Sequence, residues 1–171
     1  MSTPSKSSAA MPKRMPTETS GGIDAITLLT QDHDNVKALF EQYEATGEKA
    51  YASKKKLATK ICLELTKHAI AEEEIFYSAM REASGDAEDM VDEATVEHAA
   101  AKDLIAQILA MEPQDDLYDA KVKVLSEQIE HHVQEEEDEM FPKAKKAKLD
   151  LIALGAAIEE RKAEIELPVS Q

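Results

Sequence analysis

Apolar residues recur at spacings of three and four along four long segments of the chain, and this pattern predicts four amphipathic helices. Short runs rich in Gly, Pro, Ser and Asp separate them, at residues 47–48, 84–86 and 113–116. The helices are predicted over residues 24–46, 52–82, 87–111 and 117–141. Four such helices joined by short turns favour an all-α, up-down-up-down antiparallel four-helix bundle.

The two ends of the chain are expected to differ from this bundle, which is predicted to span residues 23–147. Residues 1–22 hold half of the prolines and almost nothing to bury, which predicts a disordered tail. Pro142 is expected to end or kink the fourth helix. Beyond it, Asp150 is predicted to cap an extra C-terminal helix within residues 148–167. This helix is expected to pack on the bundle; a dimer contact is the alternative, so we expect a monomer or a weak homodimer.

The net charge of −15 limits the partners of the protein. Because phosphate surfaces repel an acidic chain, nucleic acid and anionic membranes are not expected as partners. No apolar run approaches the roughly 20 residues that span a bilayer, and the N-terminus lacks the apolar core of a signal peptide. Cys62 is the sole cysteine and is interpreted as a small buried hydrophobe. These features favour a cytoplasmic protein.

Ionisable residues interrupt the apolar stripes of all four predicted helices. In an antiparallel hairpin, two residues at the same height are equidistant from the turn. The midpoints between residues of consecutive helices fall near residues 50–51, 84–85 and 115, each at or beside a break signal. The sequence therefore predicts that six side chains meet in one layer of the core: His33, His68, Glu72, His98, His132 and Glu136.

These residues form an internal repeat. His33 is followed by a histidine 35 residues later and a glutamate four residues after that, and His98 is followed in the same way at 34 and four residues. Positions i and i+4 share a helix face, so an imidazole can bind one metal ion while the carboxylate bridges to a second. One such histidine alone would be a hydrogen-bonded core residue, but two buried carboxylates without cations cost several kcal/mol each. The pattern predicts a two-metal site, and its nitrogen and oxygen ligands favour iron or manganese, with zinc as a further alternative.

The same residues resemble the hemerythrin-like, or HHE cation-binding, family over roughly residues 25–165. The motifs are DHDNVKALF, HAIAEEEIFY, EHAAAKDLI and HHVQEEEDEMFP. The resemblance implies a four-helix bundle that holds a non-haem, oxo- or hydroxo-bridged di-iron centre. It further implies two irons bridged by the two glutamates, with each iron bound by one histidine pair: His33 with His68, and His98 with His132.

The chain departs from the oxygen-carrying hemerythrins at two positions. Those proteins have a second histidine four residues after the one matching His98 and an aspartate five residues after the last histidine, where this chain has Lys102 and Glu137. It resembles instead the bacterial members with four histidines and two glutamates. That implies binding of or reaction with O2, NO or peroxide in sensing, scavenging or stress response. The alternatives are iron storage or delivery, repair of damaged iron centres, and a structural bundle without redox chemistry. Whether the protein is an enzyme stays open, with a catalase-like, peroxide- or NO-reactive oxidoreductase as the enzymatic interpretation.

Several further residues are expected around the ligands. Glu97, Tyr77 and Phe40 are candidates for the layer that surrounds them. Glu97 either orients a ligand or lines an access channel, or else is an exposed glutamate. Glu73 and Glu137 are rotated about 100° from the ligand face and are expected to be surface charges, and His131 is expected to be solvated. An apolar shell is expected from Phe40, Phe76, Tyr77 and Phe141.

Overall fold

The computed structural model describes residues 21–167, so the predicted disordered tail lies outside the described residues except for its last two positions. The described residues contain seven α-helices, one 3₁₀ turn at Gly85–Ala87 and two π-helical segments. None of these helices is long and apolar enough to cross a membrane. The α-helices are α1 Ala25–Glu44, α2 Tyr51–Ala71, α3 Ser78–Ala83, α4 Glu88–Leu109, α5 Tyr118–Glu135, α6 Phe141–Lys146 and α7 Leu151–Glu164; the π segments are Glu72–Tyr77 and Glu136–Met140.

Six of the seven α-helices form four long rods, because each π segment continues one α-helix directly into the next. The first and third rods are α1 and α4, the second combines α2 with α3, and the fourth combines α5 with α6. The all-α antiparallel bundle predicted from the sequence is confirmed. The expectation for Pro142 is corrected in one respect, since the chain stays helical to Lys146. Pro142 lies in the first turn of α6, where the N–H that proline lacks has no partner within the helix.

The C-terminal helix α7 packs against α1, α2 and the first π segment, as expected. Asp150 caps it by accepting a hydrogen bond of 3.1 Å from the backbone nitrogen of Ala153. Asp24 caps α1 in the same way through the backbone nitrogen of Thr27, at 3.0 Å. A carboxylate at this position accepts a hydrogen bond from an N–H group that has no partner within the helix. The aspartate that precedes each helix therefore determines where the helix begins.

The core consists of two apolar clusters with a polar layer between them. The first cluster includes Leu29, Phe76, Val91 and Met140, and the second includes Leu39, Ile61, Ile105 and Leu125. Each of the four rods contributes to both clusters, and each carries its histidine between its two contributions. Cys62 belongs to the second cluster, where burial raises the pKa of its thiol to about 12, in agreement with its expected role as a core residue.

The contact between α7 and the bundle depends on Gly155. A Cβ atom at this position would overlap the carbonyl oxygen of Ile23 and lie 3.0 Å from the backbone nitrogen of Ala25. We expect Gly155→Ala to lower the free energy of unfolding by roughly 1–3 kcal/mol, because backbone atoms cannot move aside as a side chain can. The measurement is urea unfolding followed by circular dichroism.

Gly85→Ala is the control, because a Cβ at Gly85 would meet no atom within 4 Å. Helix propensity alone would make Gly→Ala stabilising by about 1 kcal/mol inside a helix such as α7, so the sign of the effect is diagnostic. A Gly155→Ala protein as stable as the wild type would show that α7 is not held closely against the start of α1.

Candidate metal centre

The six side chains predicted to meet in one layer lie together between the two apolar clusters. Every one of them is at most 7% exposed. Their ligand atoms form two overlapping sets, one of Glu72, His98, His132 and Glu136 and one of His33, His68 and Glu136. Both i, i+4 pairs are in contact, with the Nε2 atom of His68 3.1 Å from Glu72 Oε2 and that of His132 3.2 Å from Glu136 Oε1.

The Nε2 atoms of the four imidazoles all face this layer. Those of His98 and His132 are 2.9 Å apart. The Nε2 atom of His33 lies 3.3 Å from Glu136 Oε2, and that of His98 lies 3.5 Å from Glu72 Oε2. Two ligands of one ion are at most about 4.4 Å apart when each bond is about 2.0–2.2 Å long, so these separations suit shared cations.

Unsatisfied hydrogen-bonding atoms mark the same place. Among residues 21–167, the buried side-chain nitrogen and oxygen atoms without a hydrogen-bond partner all belong to this layer. They are His33 Nε2, His68 Nε2, both carboxylate oxygens of Glu72, and Glu136 Oε2. An unpaired buried carboxylate oxygen is costly, whereas a cation that binds oxygen and imidazole nitrogen would satisfy all five atoms. The residues present therefore fit a metal site.

A second carboxylate contacts the outer nitrogen of each imidazole. The Nδ1 atom of His33 lies 2.8 Å from Glu137, that of His68 3.0 Å from Asp32, that of His98 2.9 Å from Glu73, and that of His132 2.5 Å from Glu97. We call Asp32, Glu73, Glu97 and Glu137 the outer carboxylates. Because an ionised carboxylate only accepts hydrogen bonds, each Nδ1 must donate, and in the neutral ring that a metal binds the Nε2 lone pair is then available.

The expectation that Glu73 and Glu137 are mere surface charges is wrong. Each directly follows the glutamate of its repeat and lies inside a π segment, whose i+5 hydrogen bonding widens the helical turn. The long side chain of each then reaches a histidine of the other hairpin. Asp32 was not singled out from the sequence either. The repeat could have revealed it, because Asp32 precedes His33 just as Glu97 precedes His98.

Two lysines neutralise two of the outer carboxylates. Lys102 donates to both oxygens of Glu73 at 2.9 Å. Lys162 on α7 donates to Asp32 at 2.5 Å, which ties the C-terminal helix to the carboxylate that orients His68. Lys102 thus acts on the centre through Glu73, from the position at which the oxygen carriers have a histidine.

The electrostatics of the layer favour positive charge. Burial alone would lower the pKa of His68, but the charge of Glu72 and the hydrogen bond to Asp32 raise it to about 10. The pKa of His132 is raised to about 9, against the effect of burial, mainly by its hydrogen bond to Glu136. Burial would raise the pKa of Glu136, yet the adjacent imidazoles of His132 and His33 hold it well below its usual value. Anionic carboxylates in a buried layer stabilise any cation that reaches it.

Aromatic side chains cover the layer on the side of the first apolar cluster. Tyr77 donates a hydrogen bond of 2.5 Å to Glu136 Oε1, and its ring stacks on that of His98. Burial raises the pKa of Tyr77, so its hydroxyl keeps the proton that it donates. Phe141 stacks on His33 with ring centroids 5.9 Å apart, and Phe76 packs edge-on against Phe141. Phe40 packs in the second apolar cluster.

A small cavity borders the layer on the side of the second apolar cluster. Its volume is about 20 Å³, a little more than one water molecule needs. All four histidines line it, and its remaining walls are largely apolar. The other lining residues are Asp32, Val36, Leu65, Ala69, Ala101, Lys102, Ile105, Ile129 and Val133.

Comparison with known proteins gives the class of the chain. The sequence model of the hemerythrin HHE cation-binding domain matches residues 24–144, which include all six residues of the layer. The chain belongs to this family of metal-binding helical domains. In structure it is similar to a hemerythrin HHE cation-binding domain-containing protein of Mycobacterium kansasii. The TM-score is 0.70 at 21% identity, covering 83% of this chain and 86% of that one.

A second relative is a Nostoc sp. protein named as a DNA nickase. It is 28% identical over 116 residues, or 67% of this chain. The matched region is only 31% of the Nostoc protein, so this chain spans about a third of the length of that relative.

The contact between Glu137 and His33 leads to a prediction about metal affinity. We expect Glu137→Ala to weaken binding of a divalent cation about 10- to 100-fold, because Nδ1 of His33 loses the acceptor that orients the ring. Equilibrium dialysis against Zn²⁺ measures the affinity. Asp138→Ala is the control, since Asp138 is exposed and lies on the same π segment. Equal affinities of the two variants would show that Glu137 does not orient His33 and is only a surface charge.

Proposed function

We propose that the protein holds two iron ions and uses them to bind or react with a small molecule. In this proposal His33 and His68 bind one iron, His98 and His132 bind the other, and the two glutamates Glu72 and Glu136 bridge them. The two overlapping ligand sets and the inward-facing Nε2 atoms support this division. Bound at such a centre, iron supplies redox chemistry toward dioxygen, nitric oxide or peroxide.

The observation that carries the small-molecule function is the cavity beside the four histidines. A structural ion needs no free space next to its ligands, whereas a reactive centre needs a pocket for the second reactant. The cavity is of the size of a diatomic molecule or peroxide, and its apolar walls exclude larger polar compounds. Because six ligands leave coordination positions open on two ions, the pocket and the open positions can coincide.

The residues around the centre have definable roles in this proposal. The outer carboxylates accept the Nδ1 protons and so orient the four rings. Tyr77 holds a proton at its hydroxyl and donates it in a hydrogen bond to Glu136, which fixes the carboxylate that contacts both histidine pairs. Phe76 and Phe141 exclude bulk water from one side of the layer.

Other functions receive less support. A purely structural bundle would not need five unpartnered buried atoms at its centre. Iron delivery is the second candidate, because an acidic groove also reaches the layer and suits a passing cation. We do not extend to this chain the action on DNA that the name of the Nostoc relative states. The shared region is a minor part of that protein, and a net charge of −15 opposes contact with phosphates.

The ligand assignment predicts the iron content of variants. We expect His98→Ala or Glu136→Gln to hold fewer than two irons per chain, because each removes a donor from the layer. His131→Ala should still hold both irons in the layer, since the His131 side chain is 66% exposed and lies outside the layer. Iron analysis with visible absorption of protein purified with iron measures this. A loss of the centre in His131→Ala but not in His98→Ala would reverse the assignment.

The cavity can be filled without touching a ligand. Ala101→Val places two extra methyl groups in the cavity, so we expect reaction with peroxide and with nitric oxide to slow about tenfold or more, as a narrower pocket excludes the second reactant. Iron content should stay at two per chain. Ala100→Val is the matched control, because Ala100 is exposed on the same helix. Stopped-flow absorption measures both rates, and equal rates in the two variants would favour iron delivery over small-molecule chemistry.

A further inference from the structure

The two halves of the repeat differ in what neutralises their outer carboxylates. Asp32 and Glu97 are equivalent, because each precedes the first histidine of its hairpin and contacts the Nδ1 atom of the second. Asp32 is paired with Lys162 at 2.5 Å. Within residues 21–167, no lysine or arginine makes an ion pair with Glu97; only histidines approach its carboxylate.

A different set of side chains surrounds the carboxylate of Glu97. Oε2 of Glu97 contacts His132, and its other oxygen, Oε1, lies 3.8 Å from Nε2 of His131. The same His131 nitrogen is 3.2 Å from Oε1 of Glu135. Both separations lie within the roughly 4.4 Å that two ligands of one ion can span. One nitrogen and two carboxylate oxygens thus converge where the other half of the repeat has a lysine ammonium group.

Glu97 and Glu135 also line one side of an acidic groove that leads toward the buried layer. The groove has a volume of about 240 Å³, and seven carboxylates line it without a lysine or arginine. Lys143 donates to the backbone carbonyl of Asp86, one of the lining residues, and makes no ion pair with a groove carboxylate among residues 21–167. At the inner end lie His132 and Glu136, and Glu136 is 2% exposed with its Oε2 atom unpartnered.

We infer that Glu97, His131 and Glu135 form a third divalent-cation site at the side of the groove, from which a cation passes to the buried layer. A set of one imidazole and two carboxylates suits Fe²⁺, Mn²⁺ or Zn²⁺ and leaves positions open for water. The site is partly exposed, with His131 at 66% and Glu135 at 41%, so its ion exchanges faster than an ion in the layer. The passage inward rests on the proposed buried centre; the site itself does not.

Zn²⁺ alone, added to the full-length protein after its metal has been stripped, tests the site. A brief exposure to EDTA separates an exposed, labile ion from buried, resistant ones. For the wild type we expect two resistant ions and one labile ion per chain. His131→Ala should lose the labile ion and keep both resistant ions, whereas Glu130→Ala, an exposed carboxylate variant on the same helix, should keep all three. If the wild type binds no labile ion, or if His131→Ala binds it as the wild type does, the proposed third site is wrong.

The rate of loading tests the passage. At low Zn²⁺, we expect His131→Ala to acquire the resistant ions about three- to tenfold more slowly, because the third site no longer holds a cation beside the layer. The double variant Asp89→Asn with Glu93→Gln, which neutralises two groove carboxylates, should slow loading in the same direction. Loading at the wild-type rate in His131→Ala overturns the passage. A wild type with one labile ion and no resistant ion would instead contradict the proposed buried centre and leave the third site standing.

Discussion

Two carboxylates buried among four imidazoles dominate the energetics of this bundle. Glu72 and Glu136 lie between two apolar clusters that every rod of the bundle helps to build. Uncompensated anions there would cost several kcal/mol, so the core needs positive charge at its middle. Protonated histidines supply part of it when no metal is bound, as the raised pKa values of His68 and His132 indicate. Metal cations supply it more completely, since they also satisfy the unpartnered oxygens of Glu72. Fold and cation binding are therefore coupled at one layer.

The arrangement around that layer follows the internal repeat with a crossed pattern. Within each hairpin, the acidic residue before the first histidine contacts the second histidine, as Asp32 does with His68. Between hairpins, the glutamate after each buried glutamate contacts the first histidine of the other half, as Glu73 does with His98. Half of the orienting contacts thus depend on the docking of the two hairpins. A ligand layer built in this way cannot be complete in one hairpin alone, which makes assembly of the bundle a condition for orienting all four rings.

The sequence predicted the bundle and the six residues of the layer because both depend on regular helix geometry. Rise per residue and the positions of the breaks were enough to place His33, His68, His98 and His132 at one height. The outer contacts of Glu73 and Glu137 were mispredicted because a regular α-helix rotates both away from the layer, and no local signal indicated the π segments. The contacts of Lys162 and Gly155 could not be predicted from the sequence for another reason. Their roles depend on where α7 docks, which tertiary packing decides.

The layer has two approaches of opposite chemical character. On one side, all four histidines border a small cavity with largely apolar walls, in which a cation would lose its hydration without compensation. On the other, seven carboxylates line a groove that ends at His132 and Glu136, where a small neutral molecule would gain little. In the proposed function, cations and small molecules would thus reach different faces of the same centre. Such a separation lets the centre be loaded from the groove while the apolar cavity stays free for a second reactant. The two hairpins differ in the same sense, since one has a histidine beside Glu97 where the other has a lysine beside Asp32.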